Sequence, residues 1–90
     1  MIIVLTKPIY HNEQCYTELN LDLDALTGAD LEQVEREFTA THPGAFPDTS
    51  KAYQAMVAAR ACGIPYDVLR TLPAKDYSKV TLSVLTFLAN

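Results

Sequence analysis

The sequence predicts an α+β domain, an N-terminal β-hairpin packed on three to four short α-helices and mostly helical overall. Three observations carry this. The first 24 residues pair a β-branched run with a strict two-residue alternation. From Thr27 onward apolar residues recur at spacings of three and four. Glycine and proline interrupt that second pattern at His42-Pro43-Gly44, Gly63-Ile64-Pro65 and Leu72-Pro73. With 90 residues the chain makes one domain, residues 1–90, with the hairpin in 1–24 and the helical part in 27–90.

The first strand is Ile2-Ile3-Val4-Leu5-Thr6. Pro8 has no N–H for a ladder, so this strand either lies at an edge or ends there. His11-Asn12-Glu13-Gln14 is the expected turn. The second strand runs from about Cys15 to Leu23. Tyr16, Glu18, Asn20 and Asp22 form its wet face, and Thr17, Leu19, Leu21 and Leu23 its buried one. A lone hairpin is marginal, so its apolar face requires the helices as cover. The edge at Ile2 to Leu5 would permit pairing with a second copy, a possible homo-oligomer.

Thr27 and Asp30 supply an N-cap and a capping box for the first helix, whose core stripe is Leu31, Val34 and Phe38. Glu32, Glu35, Arg36 and Glu37 take the other side, and His42-Pro43-Gly44 stops the helix. After the linker-like His42 to Pro47, Asp48, Thr49 or Ser50 caps a second helix, Lys51 to Cys62. Tyr53, Met56, Val57 and Ala61 are expected on one of its faces, and its other alanines permit close approach. Gly63 is the expected C′ residue of a Schellman motif, with Ile64 as its apolar contact. Pro65 suits the first position of a short third helix carrying Val68, Leu69 and Leu72. Pro73 ends that helix and opens a fourth, with Asp76 in its first turn.

The fourth helix is the informative one. Tyr77, Val80, Val84, Phe87 and Leu88 form a core stripe, while Leu82, Leu85 and Ala89 lie on another side. Two apolar faces imply burial on two sides. Leu82, Leu85 and Ala89 are therefore the candidate partner surface.

Composition narrows the function classes. Seven Lys and Arg against eleven Asp and Glu give a net charge of −4, and no two cations adjoin. Phosphate recognition needs clustered cations, so no nucleic acid partner is expected, and no membrane partner either. A helix-turn-helix within Ile64 to Phe87 would offer base edges only Lys75 and Lys79. The soft ligands His11, Cys15, His42 and Cys62 lack metal-site spacing. Asp22, Asp24 and Gly28 miss the calcium-loop register, because Gly28 falls at position 7 and Gln33 at position 12 when position 1 is Asp22. Ser50, Ser78 and Ser83 sit on no strained glycine-rich turn, and Glu32, Glu35 and Glu37 read as a solvated face. No cofactor, metal or catalytic activity is expected. The apolar run at Met1 to Leu5 ends at Lys7 and Pro8, too short for a signal peptide core. With two cysteines and no disulfide framework, the expected location is cytoplasmic.

Several segments occur in a telling order: Thr6-Lys7-Pro8-Ile9, the run Leu21-Asp22-Leu23-Asp24-Ala25-Leu26-Thr27-Gly28-Ala29-Asp30-Leu31, the run Ala58 to Pro65, Leu69, Leu72-Pro73-Ala74-Lys75-Asp76-Tyr77, and then Val80, Val84, Phe87 and Leu88. Together they resemble the tail assembly chaperones of tailed bacteriophages, the group typified by phages Mu and P2. The likeness spans nearly the whole chain. It departs at the hairpin tip, where His11-Asn12-Glu13-Gln14 replaces a frequent glycine. The resemblance implies a non-enzymatic protein in the cytoplasm of a bacterial host. Its partner would be the long helical tape measure protein, held soluble until the tail tube polymerises. The alternatives are a small intracellular interaction or regulatory domain and, last, a DNA binder.

Overall fold

The computed structural model describes residues 1–90. A two-stranded antiparallel sheet, β1 (Ile2–His11) and β2 (Gln14–Asn20), precedes four helices. These are α1 (Gly28–Thr41), α2 (Lys51–Cys62), α3 (Tyr66–Leu69) and α4 (Ala74–Ala89). Short 3-10 turns at Leu23–Ala25 and Pro47–Thr49 lead into α1 and α2. The α+β expectation therefore holds, with the hairpin ahead of the helices.

The strands differ from the sequence expectation in length and register. β1 continues past Pro8 to His11, and β2 ends at Asn20 rather than Leu23. Leu21 still exchanges backbone hydrogen bonds with Met1, but Leu23 has entered the 3-10 turn. Ile3 pairs with Leu19 and Val4 with Glu18, whereas Ile9 pairs with Tyr16. Leu5, Thr6, Lys7 and Pro8 thus bulge opposite Thr17 alone. The bulge lets Pro8 sit inside a strand without breaking a ladder bond. It also reverses facing on β2: Tyr16 turns to the core opposite Ile9, and Thr17 is exposed. The turn is narrower than the four expected residues. Asn12 and Glu13 both hold positive φ, 50° and 64°, as a two-residue I′-type hairpin turn requires.

The α1 cap forms as expected. The Thr27 hydroxyl accepts from the Asp30 N–H, and the Asp30 carboxylate accepts from the Thr27 N–H at 2.8 Å. Val34 and Phe38 are buried, and His42 stacks on Phe38 with ring centroids 4.8 Å apart. Ser50 caps α2. Gly63 ends α2 at φ 74°, and its N–H donates to the Ala59 carbonyl at 2.9 Å. That single bond is the simpler αL ending rather than the Schellman pair, although Ile64 is buried as expected. Pro65 and Pro73 stand at the N-cap positions of α3 and α4, one residue ahead of the first helical position.

The centre of the molecule is α2. Tyr53, Ala55, Val57 and Ala58 are buried, and α2 packs against α1, α3, α4 and β2. Its alanines make this possible, because Ala55 and Ala58 leave no bulk between neighbouring backbones. The core is one cluster in which Ile3, Leu5, Ile9, Leu19 and Leu21 from the hairpin region meet Val34, Phe38, Val57, Leu69, Val80 and Val84 from the helices.

A candidate interaction surface on α4

α4 is anchored by its first turn. Asp76 is fully buried, and its carboxylate accepts the Thr6 N–H at 3.0 and 3.2 Å and the Thr6 hydroxyl at 2.9 Å. One turn later the Lys79 ammonium donates to the Val4 carbonyl at 3.4 Å. The Met1–Leu21 exchange fixes which groups of β1 face β2, and alternation turns those of Val4 and Thr6 the other way. α4 thus lies along the free side of β1 and closes it at two points. The strand edge expected to be open to a second copy is in this part covered.

Farther along α4, Val80, Thr81 and Val84 are buried, with Tyr77 and Phe87 half-buried beside them. Thr81 tolerates burial because its hydroxyl donates to carbonyls of its own helix, Tyr77 at 3.0 Å and Ser78 at 3.2 Å. Leu88 is a correction. Expected in the core stripe, it lies 39% exposed, because it lines an open groove beside Tyr53 and Gln54 instead of entering the core.

The second apolar side is left largely open to water. Leu82 is 60% exposed and Leu85 41%, and Ala89 is exposed as well. A groove flanks each side of this ridge. One, of about 500 Å³, is lined by Met1, Leu82, Ser83, Thr86, Phe87 and Asn90. The other, of about 320 Å³, is lined by Asp48, Tyr53, Gln54, Leu85, Leu88 and Ala89. The Tyr53 hydroxyl titrates above its ordinary range because of burial, reinforced by the Glu35 and Asp48 carboxylates. Asp48 places one carboxylate on the second groove, while no Asp or Glu side chain lines the first.

Sequence reasoning missed Met1, Ile2 and Val4. Ile2 and Val4 project from the outward face of β1 at 53% and 64% exposure, and Met1 joins Leu82 in the first groove. The signal was present: Ile2-Ile3-Val4-Leu5 is apolar on both strand faces, so covering one face leaves the other in water. Apolar surface thus continues from α4 toward the start of β1.

The other titratable candidates do not converge. No three His, Cys, Asp or Glu side chains gather as a metal site would need. Both cysteines are free thiols, Cys15 exposed on β2 and Cys62 half-buried. Burial pushes the Cys62 thiol above its ordinary range, which disfavours the thiolate. No helix is long and apolar enough to cross a membrane.

Compared with models of known protein families, with curated proteins and with solved structures, the chain matches none.

Proposed function

We propose that this chain is a phage tail assembly chaperone. It acts without catalysis, binding a helical segment of the tape measure protein on the outer face of α4 and releasing it as the tail tube polymerises. The observation that carries the reading is the exposed ridge of Leu82, Leu85 and Ala89 between two grooves, on a helix whose opposite face is core. Exposed contiguous apolar surface on a small protein marks a partner site. A helix that presents apolar residues at spacings of three and four suits docking by another helix. Net negative charge keeps such a surface soluble.

The residue-level resemblance supplies the partner. Its two most specific segments fall on structural joints: the Leu21 to Leu31 run spans the passage from β2 into the capping box of α1, and Leu72 to Tyr77 opens α4 and contains Asp76. The compartment that follows is the cytoplasm of a bacterial host. A DNA-binding reading has less support, since α3 is a single turn and α4 turns leucines outward.

Co-expression with a candidate tape measure protein tests the proposal. The expected result is that the tape measure protein moves into the soluble fraction only with the chain present, and that Leu82→Asp abolishes the effect while leaving the fold intact. A tape measure protein equally soluble alone would refute the reading.

A further inference from the structure

Two of the four lysines share the outer side of α4, and the other two flank that helix from α2 and β1. Lys75 and Lys79 lie on α4, Lys51 donates to the Thr81 hydroxyl of α4 at 3.4 Å, and Lys7 follows the Thr6 that Asp76 holds. All four are exposed. The three arginines are engaged elsewhere: Arg60 with Asp30, Arg36 with Gln33, and Arg70 over the Tyr66 ring. The single carboxylate of α4, Asp76, is buried and committed to Thr6. Within an acidic protein, the outer stripe of α4 thus carries two ammonium groups, Lys75 and Lys79, and no carboxylate.

That face has an order. Lys75, Lys79, Leu82 and Thr86 follow at spacings of four, three and four, which places them in one stripe along α4. The stripe begins with the two ammonium groups and continues into the groove lined by Met1, Leu82 and Phe87. From Lys75 to Asn90 it extends about 22 Å, at about 1.5 Å per residue. A helix of about 15 residues would match that length.

We infer that the segment received by α4 is an amphipathic helix, acidic at the end that lies over Lys75 and Lys79 and apolar at the end that enters the Met1–Leu82–Phe87 groove. This rests on the partner-surface reading above and adds the chemistry and direction of what docks. Opposite charges set register and orientation, while the apolar end supplies affinity. The tape measure protein would carry such a segment.

The test uses the full chain and two labelled 16-residue amphipathic helical peptides with the same leucine spacing. One carries three glutamates at one end, and the other carries three lysines at those positions. Fluorescence anisotropy should show the acidic peptide binding and the basic one binding at least about fivefold more weakly, the size of difference exposed ion pairs produce. Raising salt from about 0.1 M to about 1 M, which shortens the screening length from about 10 Å to about 3 Å, should erase most of that preference. Lys75→Glu, at an exposed position without a hydrogen-bond partner, should reverse it. Leu82→Asp should weaken both peptides.

Equal binding of the two peptides, with both lost in Leu82→Asp, would overturn the acidic chemistry and leave the surface itself standing. Binding of neither would overturn the inference, while the co-expression result would judge the chaperone reading separately. A concentration-dependent dimer abolished by Leu82→Asp, with no peptide bound, would make a second copy the occupant and also overturn it.

Discussion

α1 and α4 are built alike on the inside and differ on the outside. Each buries residues four apart, Val34 and Phe38 in α1, with Leu31 half-buried beside them, and Val80 and Val84 in α4. α1 then shows water Glu32, Glu35, Arg36 and Glu37, with the Arg36 guanidinium donating to Gln33 at 2.8 Å. α4 shows water Leu82, Leu85 and Leu88. The first outer face satisfies itself and needs no partner. The second leaves apolar area in water that only another molecule would cover. The inner faces explain the fold, and the difference between the outer faces is where function enters.

The largest expected effect tests the shared inner architecture. Phe38 is fully buried between His42 and Tyr53. Phe38→Ala should cost about 3–5 kcal/mol in denaturant unfolding. A much smaller loss would mean that the inner stripe of α1 is not core and that the comparison starts from a wrong premise.

Next comes the anchor that only α4 has. Asp76→Ala would remove three part-buried bonds to an exposed Thr6, whose N–H and hydroxyl water can then reach, so the loss should be about 1–3 kcal/mol in total. Thr6→Val removes only the hydroxyl bond and should cost less. A double-mutant cycle between the two positions should show coupling, and simple additivity would rule out the clamp.

The outer faces should respond in opposite ways. Leu82→Asp and Leu85→Asp should each cost about 1–2 kcal/mol, from helix propensity and partial burial and more for the less exposed Leu85, without loss of the cooperative fold, while abolishing partner binding. Cooperative melting lost in either variant would show the face to be core. Glu35→Ala on α1 should affect neither property.

The smallest effect concerns the α1 cap. The Thr27 N–H, helped by Arg60, holds the Asp30 carboxyl below its ordinary 3.8. A lowered folded-state pKa gives stability that is fully present above 3.8 and is lost as pH falls through the depressed value. Asp30→Asn should flatten that acid limb of the stability curve, and Thr27→Ala should cost about 1 kcal/mol at neutral pH. An unchanged acid limb would show that the cap carries no charge-dependent stability.

What the sequence made legible was local. The Thr27–Asp30 box, the Gly63 stop and the inner stripes each depend on residues within one or two turns, and the α2 cap was narrowed to Asp48, Thr49 or Ser50, of which Ser50 serves. The exposed pair Leu82 and Leu85 was legible for the same reason, since periodicity alone separates it from Val80 and Val84. What escaped was long-range. Asp76 reads as an ordinary first-turn acid, and nothing near it announces a hydrogen bond to Thr6, 70 residues away. The β1 bulge, which holds Pro8 and the Thr6 bonded to Asp76, reversed Tyr16 and Thr17 against a clean alternation. Leu88 escaped because a helical wheel does not show which positions line an open groove instead of the core. Met1 entered the candidate surface only when β1 was laid beside α4.

The central claim is that the outer face of α4 receives a helical partner. The direct measurement is amide-shift mapping of the isotope-labelled chain, titrated with a soluble helical segment of the tape measure protein. Shifts should concentrate at Met1 to Val4 and at Lys79, Leu82, Leu85 and Ala89, leaving Glu32 to Glu37 unmoved. Shifts centred on α1, or none at saturating segment, would contradict the account.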